Sequence, residues 1–330
     1  MTVLLLLLSF VVILAGCELF VNGIEWFGRR LHLGEGAVGS VLAAVGTALP
    51  ETVIPLIAIL IQGGEAGREV GTGAILGAPF MLSTLALFVC GMAVVVFTLT
   101  RRRTRDIRIN RDVLQRDLGF FVIVYGIAVG VGLVRMGPLR YLVAGGLLAA
   151  YAVYVYRTMK TEGDLEGDLR SLYFHNTAVS PRLRFIVLQL FVALAAIVFG
   201  ADLFVRELTR VADALGAPPL VISLLLAPIA TELPEKFNSV FWMRDRKDTL
   251  ALGNITGAMV FQSAIPVAVG IIFTSWRLDG HGLFAAAIAL ASGAVLWVRV
   301  RLAGSLGVAG LLFGGVLYLV FLVVTLVQIF

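Results

Sequence analysis

The sequence has little charge, since Asp, Glu, Lys and Arg make up only 14% of its 330 residues. A soluble domain carries about 25%, so most of this chain faces something other than water. Its two cysteines, Cys17 and Cys90, lie in apolar runs without metal-ligand spacing and are expected to be buried. Its three histidines, His32, His175 and His281, fall in loops or at helix ends. The sequence has no visible Ser/His or His/Glu catalytic set and no ATP-binding motif, which disfavours an intramembrane enzyme and gives no support to primary pumping.

Apolar residues make up 59% of the chain and gather in long runs. Strand-type alternation is absent, so helices are favoured over a barrel. Since about 20 apolar residues cross a bilayer as a helix, the sequence predicts an all-α integral membrane protein with ten transmembrane helices. The first is expected to be retained, because no Lys or Arg precedes it as in a signal peptide. The predicted spans are residues 3–27, 37–62, 70–99, 118–135, 138–157, 184–206, 217–243, 250–274, 281–299 and 303–329.

The basic residues are divided unevenly between the loops. When the loops are taken alternately, nineteen Lys and Arg fall on one side and six on the other, with Lys236 inside a span. Basic loops stay in the cytoplasm, so we expect a multi-pass cell-membrane protein with both termini outside. This pattern explains the net charge of +5 better than nucleic-acid binding does. The basic cluster at 101–111 is interpreted as topogenic charge in preference to a lipid-headgroup or regulatory site.

A polar segment at residues 158–183 divides the chain near its midpoint. It is expected to be a cytoplasmic linker between two five-helix repeats, residues 1–157 and 184–330. Residues 16–51 align with residues 200–235 without a gap, and both copies end in Leu-Pro-Glu. Because each copy holds an odd number of spans, the second would enter the membrane upside down. Inverted repeats of this kind mark secondary transporters, whose substrate site lies near the midplane.

Two further pairs of residues match within this alignment. Gly16 aligns with Gly200, and Glu18 aligns with Asp202. The two acids are expected to anchor helix ends.

Each copy carries a Pro-Glu core inside an apolar span: AVGTALPE, which ends at Glu51, and APIATELPE, which ends at Glu235. A carboxylate there costs about 3 kcal/mol on insertion scales, so it needs a partner or a function. Pro50 and Pro234 cannot donate a backbone hydrogen bond and are expected to break the helices, freeing carbonyl oxygens. Such hard oxygen ligands suit Ca²⁺ or Na⁺ better than zinc or copper. Two carboxylates balance one divalent cation, or hold monovalent ions or protons instead.

These cores resemble those of the calcium/cation antiporters, the family that includes sodium/calcium exchangers. That family has a Thr-Ser-Leu-Pro-Glu core in each repeat, and here the cores read TALPE and TELPE. The resemblance covers nearly the whole chain and implies that Glu51 and Glu235 bind Ca²⁺ and Na⁺ alternately. The further ligands that it implies are Thr47, Thr231 and the backbone carbonyls of Ala44 and Pro228.

Several of the family's ligand positions carry other residues here. Glu232 replaces the core Ser of the second copy, and it either acts as a third carboxylate or pairs with Lys236 one turn on. Gln262 takes the family's acidic or amide position, although interhelical hydrogen bonding explains it equally well. Fewer oxygens imply fewer simultaneous ion sites. The other positions that lack the family's Ser or Asn are Ala48, Ala78, Pro79, Ala258 and Met259.

The sequence thus predicts a secondary active antiporter that exchanges Ca²⁺, or a related divalent cation, for Na⁺. A proton-coupled exchanger is the rival, with Glu51, Glu232 or Glu235 carrying the proton. The missing ligands motivate an alternative of another class, a transport-inactive homologue that serves as a scaffold or sensor. No cofactor beyond the transported ions is expected. The expected partners are the lipid bilayer and the cations, with no nucleic acid and no obligatory protein partner.

Overall fold

The computed structural model describes residues 2–30, 49–134, 136–159, 171–175, 181–278 and 280–329. Within these ranges the chain is helical and contains no strand. The helices are α1 (Thr2–Arg30), α2 (Leu49–Leu56), α3 (Gly64–Met81), α4 (Leu87–Leu99), α5 (Arg111–Leu133), α6 (Leu139–Met159), α7 (Leu183–Leu215), α8 (Pro219–Arg244), α9 (Asp248–Phe273), α10 (Gly280–Ala303) and α11 (Gly307–Ile329). Two π-helical turns, Ile57–Gln62 and Leu82–Ala86, extend α2 and join α3 to α4.

Eight stretches of the described chain are long and apolar enough to cross a membrane. α3 and α4 together form one of them, Gly64–Leu99. Parts of the second and seventh predicted spans form shorter apolar helices, Glu51–Gln62 and Pro219–Ile229. Residues 37–48 of the second predicted span lie outside the described residues. Helices suit lipid because they satisfy their own backbone hydrogen bonds. The prediction of an all-α membrane protein is confirmed.

α1 and α7 pack against each other closely, with a glycine of each helix at the contact. A Cβ atom on Gly16 would lie 2.8 Å from the Ile197 side chain and 3.1 Å from a carbonyl oxygen of α7. A Cβ atom on Gly200 would lie 2.8 Å from the Ile13 side chain and 3.2 Å from a carbonyl oxygen of α1. Small residues let membrane helices approach this closely. The two contacts mirror each other, since Gly16 and Gly200 match in the sequence alignment and Ile13 and Ile197 lie three residues before them.

Residues 171–175, called the strap from here on, dock against both of these helices. Asn22 of α1 holds one part of it, since Nδ2 donates to the Ser171 carbonyl at 3.3 Å and Oδ1 accepts from the Tyr173 amide at 3.2 Å. Gln189 of α7 holds the next part, because its Oε1 accepts from a strap amide at 3.1 Å. The strap is therefore fixed to α1 and α7 at once.

The same amide side chains also join α1 directly to α7. Gln189 Nε2 donates to Asn22 Oδ1 at 2.9 Å and to the Leu19 carbonyl at 2.8 Å. The Tyr173 hydroxyl donates to Glu18 Oε1 at 2.8 Å. Both amides are buried, where an unsatisfied polar group costs about 1–3 kcal/mol. The bonds of Gln189 to Asn22 and Leu19 therefore stabilise the packing of α1 against α7.

Gln189→Leu is expected to release the strap, because it removes the bonds to α1 and to the strap amide together. Limited trypsin digestion of the purified protein should then cleave the linker, for example after Arg170, about tenfold faster. The matched control is Gln328→Leu, which changes an exposed glutamine near the end of α11. Equal cleavage rates in the wild type and in Gln189→Leu would contradict the docking of the strap.

The π-helical end of α2 is fastened to the middle of α7. Gln62 Nε2 donates to Asp202 Oδ1 at 2.7 Å and to the carbonyl of the same residue at 3.2 Å. Arg206 pairs with Asp202 Oδ2 at 2.5 Å. Glu18 likewise lies in the middle of α1. Asp202 therefore anchors the end of α2, as expected, whereas Glu18 binds the Tyr173 hydroxyl of the strap from within α1.

A buried ion pair fastens the loop after α4 to the start of α9. Arg103 binds both carboxylate oxygens of Asp248, at 2.8 and 3.1 Å, and the two side chains are 0% and 1% exposed. The guanidinium also donates to the carbonyls of Thr104, Asp106 and Met243. Part of the basic cluster at 101–111 is therefore structural, because Arg103 holds two parts of the chain together that are 145 residues apart.

Candidate functional site

Two glycines bring α3 into close contact with α8. A Cβ atom on Gly73 would clash with the Leu220 carbonyl. A Cβ atom on Gly77 would clash with the Leu224 carbonyl and the Pro228 ring. The Leu224 carbonyl has no helical donor, because residue 228 is a proline. The Cα–H group of Gly77 can therefore approach it in a weak hydrogen bond. The Leu224 carbonyl lies about two helical turns before Thr231, so this contact helps to set the distance between α3 and the polar part of α8.

A small buried cavity lies between α2, α3 and α8 and has a volume of about 10 Å³. Its polar lining comes from Glu51 of α2 and Thr231 of α8, which are 7% and 4% exposed. Pro228 lies beside them. A space of this size holds about one water molecule or one dehydrated ion. The Thr231 hydroxyl donates to the Ala227 carbonyl at 3.1 Å, which leaves its lone pairs able to face a cation.

Three of the predicted ligands, Glu51, Thr231 and Pro228, thus line a single cavity. Among the side chains that the structure describes, no three Asp, Glu, His or Cys groups lie close enough together to hold a metal ion. The complete ligand set therefore stays a prediction. The members that lie outside the described residues are Thr47, Ala44 and the side chain of Glu235.

Prolines remove backbone donors from all three of the helices that carry the polar residues of the site. Pro55 deprives the Glu51 carbonyl of its helical donor, and Pro266 of α9 does the same to the Gln262 carbonyl. Pro234 of α8 was expected to break its helix. That expectation is wrong, because α8 runs continuously from Pro219 to Arg244. The proline removes one hydrogen-bond donor while the neighbouring turns keep the backbone helical.

Glu232 follows Thr231 and is 1% exposed. Its Oε1 accepts a hydrogen bond from Gln262 Nε2 of α9 at 3.2 Å. Gln262 Oε1 is buried and has no hydrogen-bond partner among the described residues. A carboxylate and an amide oxygen from neighbouring helices are ligands that Ca²⁺ prefers. Both residues were expected in the site region from the sequence, but the hydrogen bond between them was not predicted.

α3 contributes only apolar atoms to the cavity wall, through Ala74 and Ala78. Ala78 stands where the resemblance implies a serine ligand, so the wall carries a methyl group in place of a hydroxyl. The oxygen atoms of the described site therefore come from α2 and α8, with α9 beside them. An arrangement of this kind, in so small a volume, suits one ion at a time better than several.

Pro55 is a feature of the site that the sequence analysis missed. It lines the cavity and lies four residues after Glu51, at the spacing of a helical hydrogen bond. That spacing was visible in the sequence as PETVIP. It could have identified a second freed carbonyl beside the acidic residue.

The chain is similar to a family of known proteins over most of its length. The family model for the sodium/calcium exchanger protein matches residues 1–160 and 185–330. The sodium/calcium exchanger MaX1 of Methanosarcina acetivorans is 24% identical over 321 residues, covering 85% of each chain. Inner membrane protein YrbG of Escherichia coli is 24% identical over 282 residues, which cover 83% of this chain and 81% of the relative.

Two solved exchangers share the fold. The H⁺/Ca²⁺ exchanger CAX superposes with a TM-score of 0.73 at 17% identity, covering 98% of this chain and 81% of the other. The sodium-calcium exchanger NCX_Mj superposes with a TM-score of 0.59 at 21% identity, covering 98% of this chain and 97% of the other. At these identities the likeness shows the fold alone. Since the family model spans nearly the whole chain, the protein belongs to the sodium/calcium exchanger protein family.

Proposed function

We propose that the protein is a secondary active antiporter, and not an enzyme, that moves Ca²⁺ or a related divalent cation across the membrane in exchange for Na⁺. The observation that carries this proposal is the buried cavity that Glu51, Thr231 and Pro228 line together. A buried carboxylate in a membrane span is costly unless it has a function or a partner. The carbonyls freed by proline and the Glu232–Gln262 pair supply further oxygens near it.

The proposed ion shell consists of oxygen atoms from two pseudo-equivalent cores. Glu51 and Glu235 would supply two negative charges for one divalent ion. Glu232 would add a third carboxylate or hold Gln262 in place. The remaining members of the proposed shell are the hydroxyls of Thr47 and Thr231 and the carbonyls of Ala44 and Pro228.

The proposed architecture is ten transmembrane helices in two inverted repeats, residues 1–157 and 184–330, joined by a linker at 158–183. The mirrored glycine contacts of α1 and α7 support this symmetry. The end of α6 at Met159 and the start of α7 at Leu183 are consistent with the linker. The excess of basic residues in alternate loops favours termini outside and the linker in the cytoplasm.

Proton coupling is the second candidate function. It is favoured by the number of acids at the site and by the apolar α3 wall, which offers fewer oxygens for Na⁺. A fold shared with both a proton-coupled and a sodium-coupled exchanger is compatible with either ion. A transport-inactive scaffold or sensor is the remaining alternative, motivated by the missing ligands.

Uptake of ⁴⁵Ca²⁺ into proteoliposomes distinguishes these candidates. We expect an outward Na⁺ gradient to drive uptake, because one divalent ion and Na⁺ would compete for the same carboxylates. The same vesicles with choline in place of Na⁺ are the control. Uptake that responds only to a pH gradient would replace Na⁺ by H⁺ as the coupling ion. If no gradient drives divalent-cation uptake, the transporter assignment fails and the scaffold alternative gains support.

A further inference from the structure

A pocket of about 620 Å³ opens where two pairs of helices are joined. Its walls come from the turn between α5 and α6, within residues 131–141, and from the turn between α9 and α10, residues 275–278. α6 separates the pocket from the linker, so the two lie on opposite faces of the protein. None of the described residues that line the ion cavity also lines this pocket. Its volume is typical of pockets that bind small molecules.

The two turns carry basic residues on the side of the chain that has few of them. In the sequence they hold three arginines and one acid, Arg135, Arg140, Arg277 and Asp279, so three positive charges and one negative give a net charge of +2. Six basic residues fall on this side when the loops are taken alternately, and half of them lie in these two turns. Topogenic charge does not explain this clustering, because basic residues are disfavoured in loops that leave the cytoplasm.

Arg140 is held in place at the start of α6. Its Nη1 donates to the Thr274 carbonyl at 2.9 Å, and its Nη2 donates to the Tyr141 hydroxyl at 3.0 Å. The guanidinium carbon lies 4.9 Å from the centre of the Tyr141 ring. A guanidinium group has five N–H donors, so these two bonds leave others for a ligand. The N-terminus of α6, which begins at Leu139, adds partial positive charge beside it.

Trp276 shapes the second turn. Its φ angle of 42° lies in the left-handed region, which residues other than glycine rarely adopt. The ring Nε1 donates to the Ala128 carbonyl at 2.9 Å, and the backbone amide donates to Thr274 Oγ1 at 3.0 Å. This conformation buries Trp276 and leaves its neighbours Ser275 and Arg277 exposed in the pocket wall. Backbone strain of this kind concentrates at binding sites.

We propose that this pocket binds a small water-soluble organic anion, a carboxylate or a phosphate monoester, with its charged group at Arg140 and Arg277. Guanidinium groups suit both anions because they donate paired hydrogen bonds. The apolar part of the ligand would lie against Leu133 and Val134, two exposed side chains of the lining. Inorganic phosphate would have no contact with these side chains. This inference does not rest on which ion the protein transports.

Calorimetric titration of the purified full chain in detergent with phenyl phosphate tests this site. We expect a Kd of about 1 mM or lower. Arg277→Gln should raise the Kd about tenfold and leave the melting temperature unchanged, because the bonds that hold the turn come from Trp276. The matched control is Arg68→Gln, which changes an exposed arginine outside the pocket lining and should leave the Kd unchanged.

Benzyl alcohol, which has the ring without the charge, should not bind, and inorganic phosphate should bind more weakly than phenyl phosphate. Three results would overturn the proposal. The absence of measurable binding of phenyl phosphate to the wild type, or a Kd that is the same in Arg277→Gln, would mean that the two turns form no anion site. Equal affinity for inorganic phosphate would remove the apolar part of the ligand. Complete displacement of phenyl phosphate by phosphatidylglycerol in mixed micelles would assign the pocket to a lipid headgroup instead.

Discussion

Glu51→Gln is expected to lower ⁴⁵Ca²⁺ uptake into proteoliposomes by at least about a hundredfold. The carboxylate is 7% exposed and lines the cavity together with Thr231. Removing one charge from a desolvated ion site costs about 3 kcal/mol of ion binding, which corresponds to two orders of magnitude. Glutamine keeps the size and the hydrogen-bonding ability of the side chain, so the loss would come from the charge.

The same substitution should leave the thermal stability of the empty protein unchanged or higher. A neutral amide is cheaper than a carboxylate inside a membrane span. The combination of lost flux and retained stability distinguishes an ion ligand from a residue that holds the fold together. Glu65→Gln is the matched control, because that acid lies in the first turn of α3 and is exposed. Normal flux in Glu51→Gln, or a large fall in its melting temperature, would argue that Glu51 has a packing role.

Arg103→Ala is expected to have the largest effect on stability, about 3–5 kcal/mol. The substitution leaves Asp248 buried without its cationic partner. It also removes the donor for three carbonyls, those of Thr104 and Asp106 in the loop and of Met243 at the end of α8. Unfolding of the purified protein in increasing denaturant should therefore shift to a clearly lower midpoint.

Two further variants make this prediction specific. Arg102→Ala changes the neighbouring exposed arginine and should shift the midpoint by less than about 0.5 kcal/mol. Arg103→Met/Asp248→Leu replaces the ion pair by apolar side chains and should recover most of the lost stability. If Arg103→Ala is as mild as Arg102→Ala, the loop after α4 is not clamped by this pair.

Hydropathy predicted the helices better than their ends. The predicted spans at 118–135 and 184–206 correspond to α5 from Arg111 and to α7 up to Leu215. The additional turns carry charged residues, which an apolar run excludes although a helix can continue through them into the headgroup region. The prediction was accurate where lipid imposes the constraint and inaccurate where the chain leaves the hydrocarbon core.

At the candidate site, too, some features could be predicted from the sequence and others could not. The two Pro-Glu cores drew attention to Glu51 and Thr231, because a buried acid beside a proline has few structural explanations. Both residues line one cavity, and their role as ligands stays a prediction. The Glu232–Gln262 hydrogen bond joins residues on two different helices, and no local pattern encodes such a contact. The strap was equally inaccessible, since its partners Asn22 and Gln189 are about 150 and 15 residues away from it in the sequence.

Locating a bound divalent ion tests the central claim most directly. Sr²⁺ is a suitable substitute for Ca²⁺, and crystals grown with it would reveal its position by anomalous scattering. The account predicts one peak in the cavity between α2, α3 and α8, in direct contact with the carboxylate of Glu51 and the hydroxyl of Thr231. These distances should be slightly longer than the about 2.3–2.6 Å of Ca²⁺–oxygen contacts, because Sr²⁺ is the larger ion. An empty cavity at saturating Sr²⁺, or a peak confined to another part of the molecule, would contradict it.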